Sequence, residues 1–251
     1  MDFQDYSGSQ YLAIGASNST KLAVEAKQPH IYLPNWDPHS IDLCVDKLKN
    51  INWEKMPKHV IVYSPGNSLM RTKLFYGPKD WQNPQSQIVP HFHSPQARIR
   101  RKNFRVELQS LKQMLEVLFA NYRVVILMCN FMRAVNPICN CLNSYTYYTI
   151  DQMWLFARFE SECKKQHPSL HVVKHKVFVK SMWLNICSHL RPPNGHATCT
   201  FLAAFYSNFL RSDGVHVKID HCPAVHQYLC KSIEQIALER STGIVFEAGS
   251  G

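Results

Sequence analysis

The sequence predicts an α/β protein with a doubly wound parallel sheet, and three apolar segments support this prediction. Leu12–Ile14 and His59–Tyr63 are short apolar runs that end abruptly in small polar residues, which is typical of buried parallel strands. Tyr122–Cys129 is apolar almost throughout, which indicates a central strand covered on both faces. Helical patterns separate these runs along the chain, and strands that alternate with helices favour a parallel sheet.

Between these strands, the first half of the chain predicts two helices and one further strand. Lys21–Lys27 has the composition of the first turns of a helix, and His30–Pro34 is predicted to be a second short strand. The apolar residues of Ile41–Leu48 recur at helical spacing, and Ser40 is expected to cap this helix. The polar stretch Arg71–Pro95 is expected to be a long loop.

The second half of the chain predicts longer helices. Residues 98–105 are expected to open a helix that continues over Val106–Ala120, and a further helix is expected at Tyr148–Lys165. His171–Val179 is predicted to be the last strand, at an edge of the sheet because its polarity is mixed. The closing helix is expected at Pro223–Leu238. The buried face of the helix over 106–120 is predicted to consist of Leu108, Leu111, Met114, Leu115 and Leu118.

Length and composition indicate one globular unit. The chain has 251 residues, of which 45% are hydrophobic and 18% charged, as in ordinary globular proteins. No shift in composition marks a boundary, so residues 1–240 are expected to form one domain, and residues 241–251 a flexible tail or a cloning remnant. No apolar run is long enough to cross a bilayer. Nine scattered cysteines without an export signal predict free thiols and an intracellular location, cytoplasmic or nuclear.

The cysteines do not predict a metal site. Cys139 and Cys141 stand close together, but a structural metal site needs two further ligands at suitable spacing, and the sequence shows none. The sequence therefore predicts neither a metal nor a cofactor.

The charge of the chain suggests a polyanionic partner. The formal net charge is +10 and the isoelectric point is near 9.2, which favours nucleic acid first and an acidic membrane surface second. A dense basic cluster at the start of the predicted long helix is open to two interpretations, a solvated helix face or a surface that contacts phosphates. This basic cluster consists of Arg98, Arg100, Arg101, Lys102 and Arg105.

Ser17 is the first candidate functional residue, because it follows the first predicted strand. A serine at such a strand-to-helix turn is exposed at the carboxyl end of a parallel strand, where open α/β sheets bind their ligands. It also lies at a helix amino terminus, whose unpaired N–H groups suit a developing oxyanion. The alternative is that Ser17 or Asn18 serves only as an N-cap.

Asp213 and His216 form a second motif near the end of the chain. They stand three residues apart on a predicted turn, so the carboxylate can hold one imidazole nitrogen. The other nitrogen is then free to take a proton from a serine hydroxyl, as in a serine–histidine–aspartate triad. The alternative is that Asp213 only forms the turn and His216 is an ordinary loop residue.

With these motifs in this order, the chain resembles the SGNH/GDSL hydrolase superfamily of esterases and lipases. Gly15-Ala16-Ser17 is similar to the first block of the family, Gly-Asp-Ser, and Pro65-Gly66-Asn67-Ser68 loosely to the third block, Gly-x-Asn-Asp. Asp213-Gly214-Val215-His216 matches the fifth block, Asp-x-x-His. The resemblance covers residues 10–238. Ala16 replaces the usual Asp, and residues 33–37 lack the glycine of the second block.

The resemblance implies a flavodoxin-like three-layer α/β/α sandwich that hydrolyses small acyl esters. Ser17 would be the nucleophile, His216 the base and Asp213 the residue that orients it. Asn67 would donate its side-chain amide to the oxyanion hole, beside the backbone N–H of Ser17. Because losing one oxyanion donor costs on the order of 10²–10³ in rate, the missing glycine implies a low activity rather than none.

The resemblance also implies an alternative of a different class. Oskar-like domains of this superfamily have lost the triad and bind RNA, and other SGNH-like domains occur in retrotransposon proteins. The basic cluster would then contact RNA or another polyanion, and the esterase activity would be weak or absent.

Overall fold

The structure is a computed structural model that describes residues 5–34, 38–63, 95–122, 124–128, 131, 157–186 and 198–242. Within these residues, five strands form one sheet in which every neighbouring pair is parallel. The strands are β1 (Leu12–Gly15), β2 (His30–Tyr32), β3 (His59–Tyr63), β4 (Val124–Met128) and β5 (His171–Val173).

Helices connect and follow the strands along the described chain. Short 3₁₀ turns lie at Trp53–Lys55 and Ile219–His221. The longer helices are α1 (Ser17–Glu25), α2 (Pro38–Lys49), α3 (Pro95–Asn121), α4 (helical residues 157–166), α5 (His175–Ile186), α6 (Thr198–Phe209) and α7 (Cys222–Thr242).

The strand order, β2-β1-β3-β4-β5, is that of a flavodoxin-like, doubly wound sheet. From β1 the chain moves outward to β2 and then returns past β1 to β3. Because connections between parallel strands are right-handed almost without exception, α1 is expected on one face and α2 and α3 on the other. The packing agrees with this arrangement, since α2 contacts α3 and α1 contacts α7. The predicted α/β class and flavodoxin-like parallel architecture are confirmed. Sheets of this kind bind ligands at the carboxyl ends of the strands beside such a reversal, which here lies between β1 and β3.

The core consists of the central strands and the inward faces of the helices. All five residues of β4 and all four of β1 are buried, because helices cover both faces of the sheet. On α3, the five residues predicted for the inward face are all buried. The strand prediction at His59–Tyr63 is confirmed to the residue, and Cys44, Cys163, Cys222 and Cys230 are free thiols.

Several predicted boundaries are wrong. The first helix begins at Ser17 rather than near Lys21, and α2 begins at Pro38, so Ser40 lies inside the helix and does not cap it. The last strand ends at Val173, at the predicted edge of the sheet, and the chain from His175 is helical. At the other end, α7 continues to Thr242, two residues into the predicted tail.

The error at the last strand has a clear physical reason. The buried residues of α5 recur three and four positions apart, a helical period that the β-branched residues of this segment obscure in the sequence. They are His175, Phe178, Val179, Met182 and Trp183.

No described helix combines the length and apolar character that crossing a membrane requires. The predicted loop at residues 71–95 lies outside the described residues except for Pro95, the first residue of α3. Within the predicted helix over 148–165, the described part from residue 157 onward is helical.

Gly15 lies where β1, α1 and β3 approach one another closely. A Cβ atom at this position would lie 2.8 Å from the Cβ of Ser19 and 2.8 Å from the Cβ of Tyr63. Real Cβ atoms do not approach this closely, and neither neighbouring Cβ can move without its backbone. The turn that carries Ser17 therefore depends on glycine for close packing against the sheet.

We expect Gly15→Ala to lower the free energy of unfolding by about 1–3 kcal/mol, the usual cost of overpacking a core. Gly8→Ala is the matched control, because no atom lies within 4 Å of a Cβ built on Gly8. Urea unfolding of the two variants measures the difference. Equal unfolding free energies in the two variants would contradict the close packing at Gly15.

His175 is a buried titratable group at the start of α5. Its Nε2 atom lies 2.6 Å from the hydroxyl oxygen of Tyr206, and the two rings stack at a centroid distance of 5.7 Å. Its backbone N–H donates to Glu160 Oε1 at 2.8 Å. Burial lowers the pKa of His175 to about 4, so the imidazole stays neutral in the folded protein at pH 7.

Acidification is therefore expected to destabilise the fold between about pH 6.5 and about pH 4. In this window the unfolded chain binds a proton at His175 and the folded chain does not. The free energy of unfolding is therefore lowered by about 3 kcal/mol at the acidic end of the window. His175→Gln keeps a polar partner for Tyr206 and cannot titrate. Unfolding free energies measured across this range should depend less steeply on pH in this variant, and an unchanged slope would contradict the prediction.

Candidate active site

Ser17 is the first residue of α1 and follows β1 directly. The N-cap position is occupied by Ala16, in an extended conformation, and no side chain caps the helix. Ser17 is therefore not an N-cap, and the side chain of Asn18 bonds elsewhere. The first N–H groups of a helix have no intrahelical acceptor, so Ser17 lies among unpaired donors at the carboxyl end of β1.

The loop between α6 and α7 brings Asp213 and His216 to the same place. An antiparallel bridge between Leu210 and Val217 closes this loop. The N–H of Arg211 donates to the carbonyl of His216 at 2.7 Å, and the N–H of Gly214 donates to the carbonyl of Arg211 at 2.9 Å. These backbone bonds fix the loop although much of its surface is exposed.

Both oxygens of the Asp213 carboxylate are used within the loop. Oδ1 accepts the backbone N–H groups of Val215 and His216 at 2.8 and 2.9 Å, and Oδ2 lies 2.7 Å from Nδ1 of His216. Partial burial acts to raise the pKa of Asp213, but the hydrogen bonds from His216 and Val215 outweigh it and lower this pKa to about 2. The carboxylate is therefore ionised throughout the neutral range.

His216 links Asp213 to Ser17. Its Nε2 atom lies 3.2 Å from the hydroxyl oxygen of Ser17, a contact that joins residues 199 positions apart in the chain. Because an ionised carboxylate can only accept, Nδ1 of His216 carries the proton that faces Asp213. In the neutral imidazole, Nε2 is then the acceptor for the Ser17 hydroxyl. The side chain of His216 is 37% exposed and that of Asp213 45%, so this hydrogen-bonded chain opens to the surface.

Three of the four predicted catalytic residues therefore lie together, within the expected hydrogen-bonding distance. The fourth, Asn67, lies outside the described residues, as do residues 35–37 of the region compared with the second block. Their predicted roles stay predictions.

The basic cluster lies within α3 as far as its backbone is concerned. Its side chains lie outside the described residues, so the nucleic-acid interface stays a prediction from the sequence. Among the described residues, no group of three or more histidine, cysteine or acidic side chains could hold a metal ion. Cys139 and Cys141 are outside the described ranges.

Asn18 is a contact residue that sequence reasoning missed. The sequence predicts at most an N-cap role for it, yet its side chain bonds the backbone of Val215 and Val217, on either side of His216. The only sequence signal is a polar residue beside the serine, at a position that the structure shows to be buried.

Comparisons with known proteins give one structural likeness. Neither a family model nor a curated protein matches the sequence. Among solved structures, the chain is similar to a mutant of Axe2, an acetyl-xylooligosaccharide esterase from Geobacillus, at 12% identity and a TM-score of 0.43. The match covers 92% of this chain and 96% of that chain.

Gly214 holds the loop in a conformation that favours glycine, with a φ of 65°. We expect Gly214→Ala to lower the free energy of unfolding by about 1–2 kcal/mol, because a Cβ is strained in the left-handed region. Gly214→Asn is the companion variant and should cost less, since asparagine tolerates this region better. Thermal unfolding of both variants checks whether stability decreases from wild type to Gly214→Asn to Gly214→Ala. An alanine variant as stable as wild type would refute the prediction.

Proposed function

We propose that this protein is a serine hydrolase that cleaves carboxylic esters through an acyl-enzyme at Ser17. The observation that carries the proposal is the continuous hydrogen-bonded chain from Asp213 through His216 to the Ser17 hydroxyl. This series of hydrogen bonds lies at the carboxyl end of β1, beside the reversal in strand order where doubly wound sheets bind ligands.

In the proposed reaction, Nε2 of His216 takes the proton of the Ser17 hydroxyl as the oxygen attacks the ester carbonyl. The imidazolium that forms is stabilised by the ionised Asp213 carboxylate, 2.7 Å from Nδ1. His216 then returns the proton to the departing alcohol, which leaves an ester on Ser17. Water attacks this acyl-enzyme with His216 again as base, which releases the acid and restores the hydroxyl.

The negative charge that develops on the carbonyl oxygen needs nearby donors. The backbone N–H groups in the first turn of α1 point out of the helix end and carry its positive dipole, which favours an oxyanion. The N–H of Ser17 is the expected first donor. Asn67, predicted just after β3, is the expected side-chain donor.

The exposure of His216 and Asp213 bears on the substrate. A site that opens to the surface leaves room for leaving groups of different sizes, so we propose that a range of alcohols can serve as the leaving group. For the acyl group we propose short chains such as acetyl. A p-nitrophenyl ester series reports acyl preference directly.

Ser17→Ala is expected to lower kcat for p-nitrophenyl acetate and butyrate by about 10³-fold or more, because it removes the nucleophile. Ser19→Ala is the matched control on the same helix, since the Ser19 hydroxyl is buried and has no hydrogen-bond partner among the described residues. A fluorophosphonate probe should label the wild type and the Ser19 variant but not the Ser17 variant. Equal turnover by wild type and Ser17→Ala would refute the proposal.

A further inference from the structure

Asn18 connects the first turn of α1 to both sides of His216. Its amide nitrogen Nδ2 donates to the carbonyl of Val215 at 2.9 Å, and its oxygen Oδ1 accepts the N–H of Val217 at 3.1 Å. The residue is only 7% exposed, so these bonds are shielded from water. One side chain therefore holds the residue before His216 and the residue after it.

Lys21, one turn further along α1, adds a third bond to the same loop. Its Nζ atom donates to the carbonyl of Val217 at 3.0 Å. Among the described residues, the hydrogen bonds between α1 and the loop are these three and the contact between Ser17 and His216.

The hydrogen bonds within the loop do not fix its distance from α1. The bonds made by Arg211, Gly214 and Asp213 fix the shape of the loop, but each joins one loop residue to another. None of these bonds connects the loop to α1. Asn18 is the immediate neighbour of Ser17, so its two bonds tie both sides of His216 to the turn that carries the Ser17 hydroxyl.

We propose that Asn18 is a positioning residue that holds Nε2 of His216 at reacting distance from Ser17. This inference rests on the proposed hydrolase function and assigns Asn18 no contact with the substrate. The carbonyl of Val215 needs a donor and the N–H of Val217 needs an acceptor, and an asparagine amide supplies one of each. Aspartate keeps the acceptor but turns a second oxygen toward the Val215 carbonyl, which repels the loop on that side.

The test compares Asn18→Ala and Asn18→Asp with wild type in p-nitrophenyl acetate hydrolysis, alongside thermal unfolding of each variant. We expect kcat to fall by about 10- to 100-fold in both variants, because small misplacements of a catalytic group are costly, while KM changes less than about threefold. Labelling by a fluorophosphonate should slow by a similar factor. Asn121→Ala is the control, because it removes an amide-to-carbonyl bond, from Nδ2 to the Val117 carbonyl, that lies within α3 and involves neither α1 nor the loop.

The outcomes separate the two proposals. If Ser17→Ala is inactive and both Asn18 variants keep kcat within about twofold of wild type, the positioning role is overturned and the hydrolase proposal stands. The role is also overturned if the loss of kcat disappears once rates are corrected for the folded fraction. If Ser17→Ala is as active as wild type, the proposed function fails and the role of Asn18 fails with it.

Discussion

The contact between Ser17 and His216 is the interaction on which the proposed chemistry depends. It spans 3.2 Å in space and 199 positions in sequence, and it joins the first helix to the loop before the last one. A single hydrogen bond is too weak to bring such distant segments together. The packing of α1 against α7 and the bonds from Asn18 and Lys21 to the loop hold the two groups in place.

The sheet determines where this contact forms. The strand order reverses between β1 and β3, and doubly wound sheets bind their ligands at the carboxyl ends of the strands beside such a reversal. Gly15 lets α1 begin immediately after β1, close against Tyr63 of β3. Ser17 is thereby placed at the carboxyl end of β1 on a helix whose inner face is buried, while His216 and Asp213 remain partly open to the surface.

The elements that the sequence predicts correctly are those that depend only on neighbouring residues. Three strands and the buried face of α3 are visible in the spacing of apolar residues, because each reflects the burial of one short segment. The end of β5 was predicted wrongly, since Val and Phe at 177–179 suit a strand locally and only packing shows them to be helical. The start of α1 was misplaced for a related reason: Ser17 and Asn18 are poor helix formers, and their tertiary contacts override this tendency.

The α/β class, the strand-end position of Ser17 and the three-residue spacing of Asp213 and His216 follow from the sequence alone, because each depends on a few neighbouring residues. Three contacts are visible only in the folded molecule: Ser17 with His216, Asn18 with the residues on both sides of that histidine, and His175 with Tyr206. These contacts join segments 31 to 199 positions apart. They arise from the order of the strands and the packing of helices on the sheet, which leave no pattern in any short stretch of sequence.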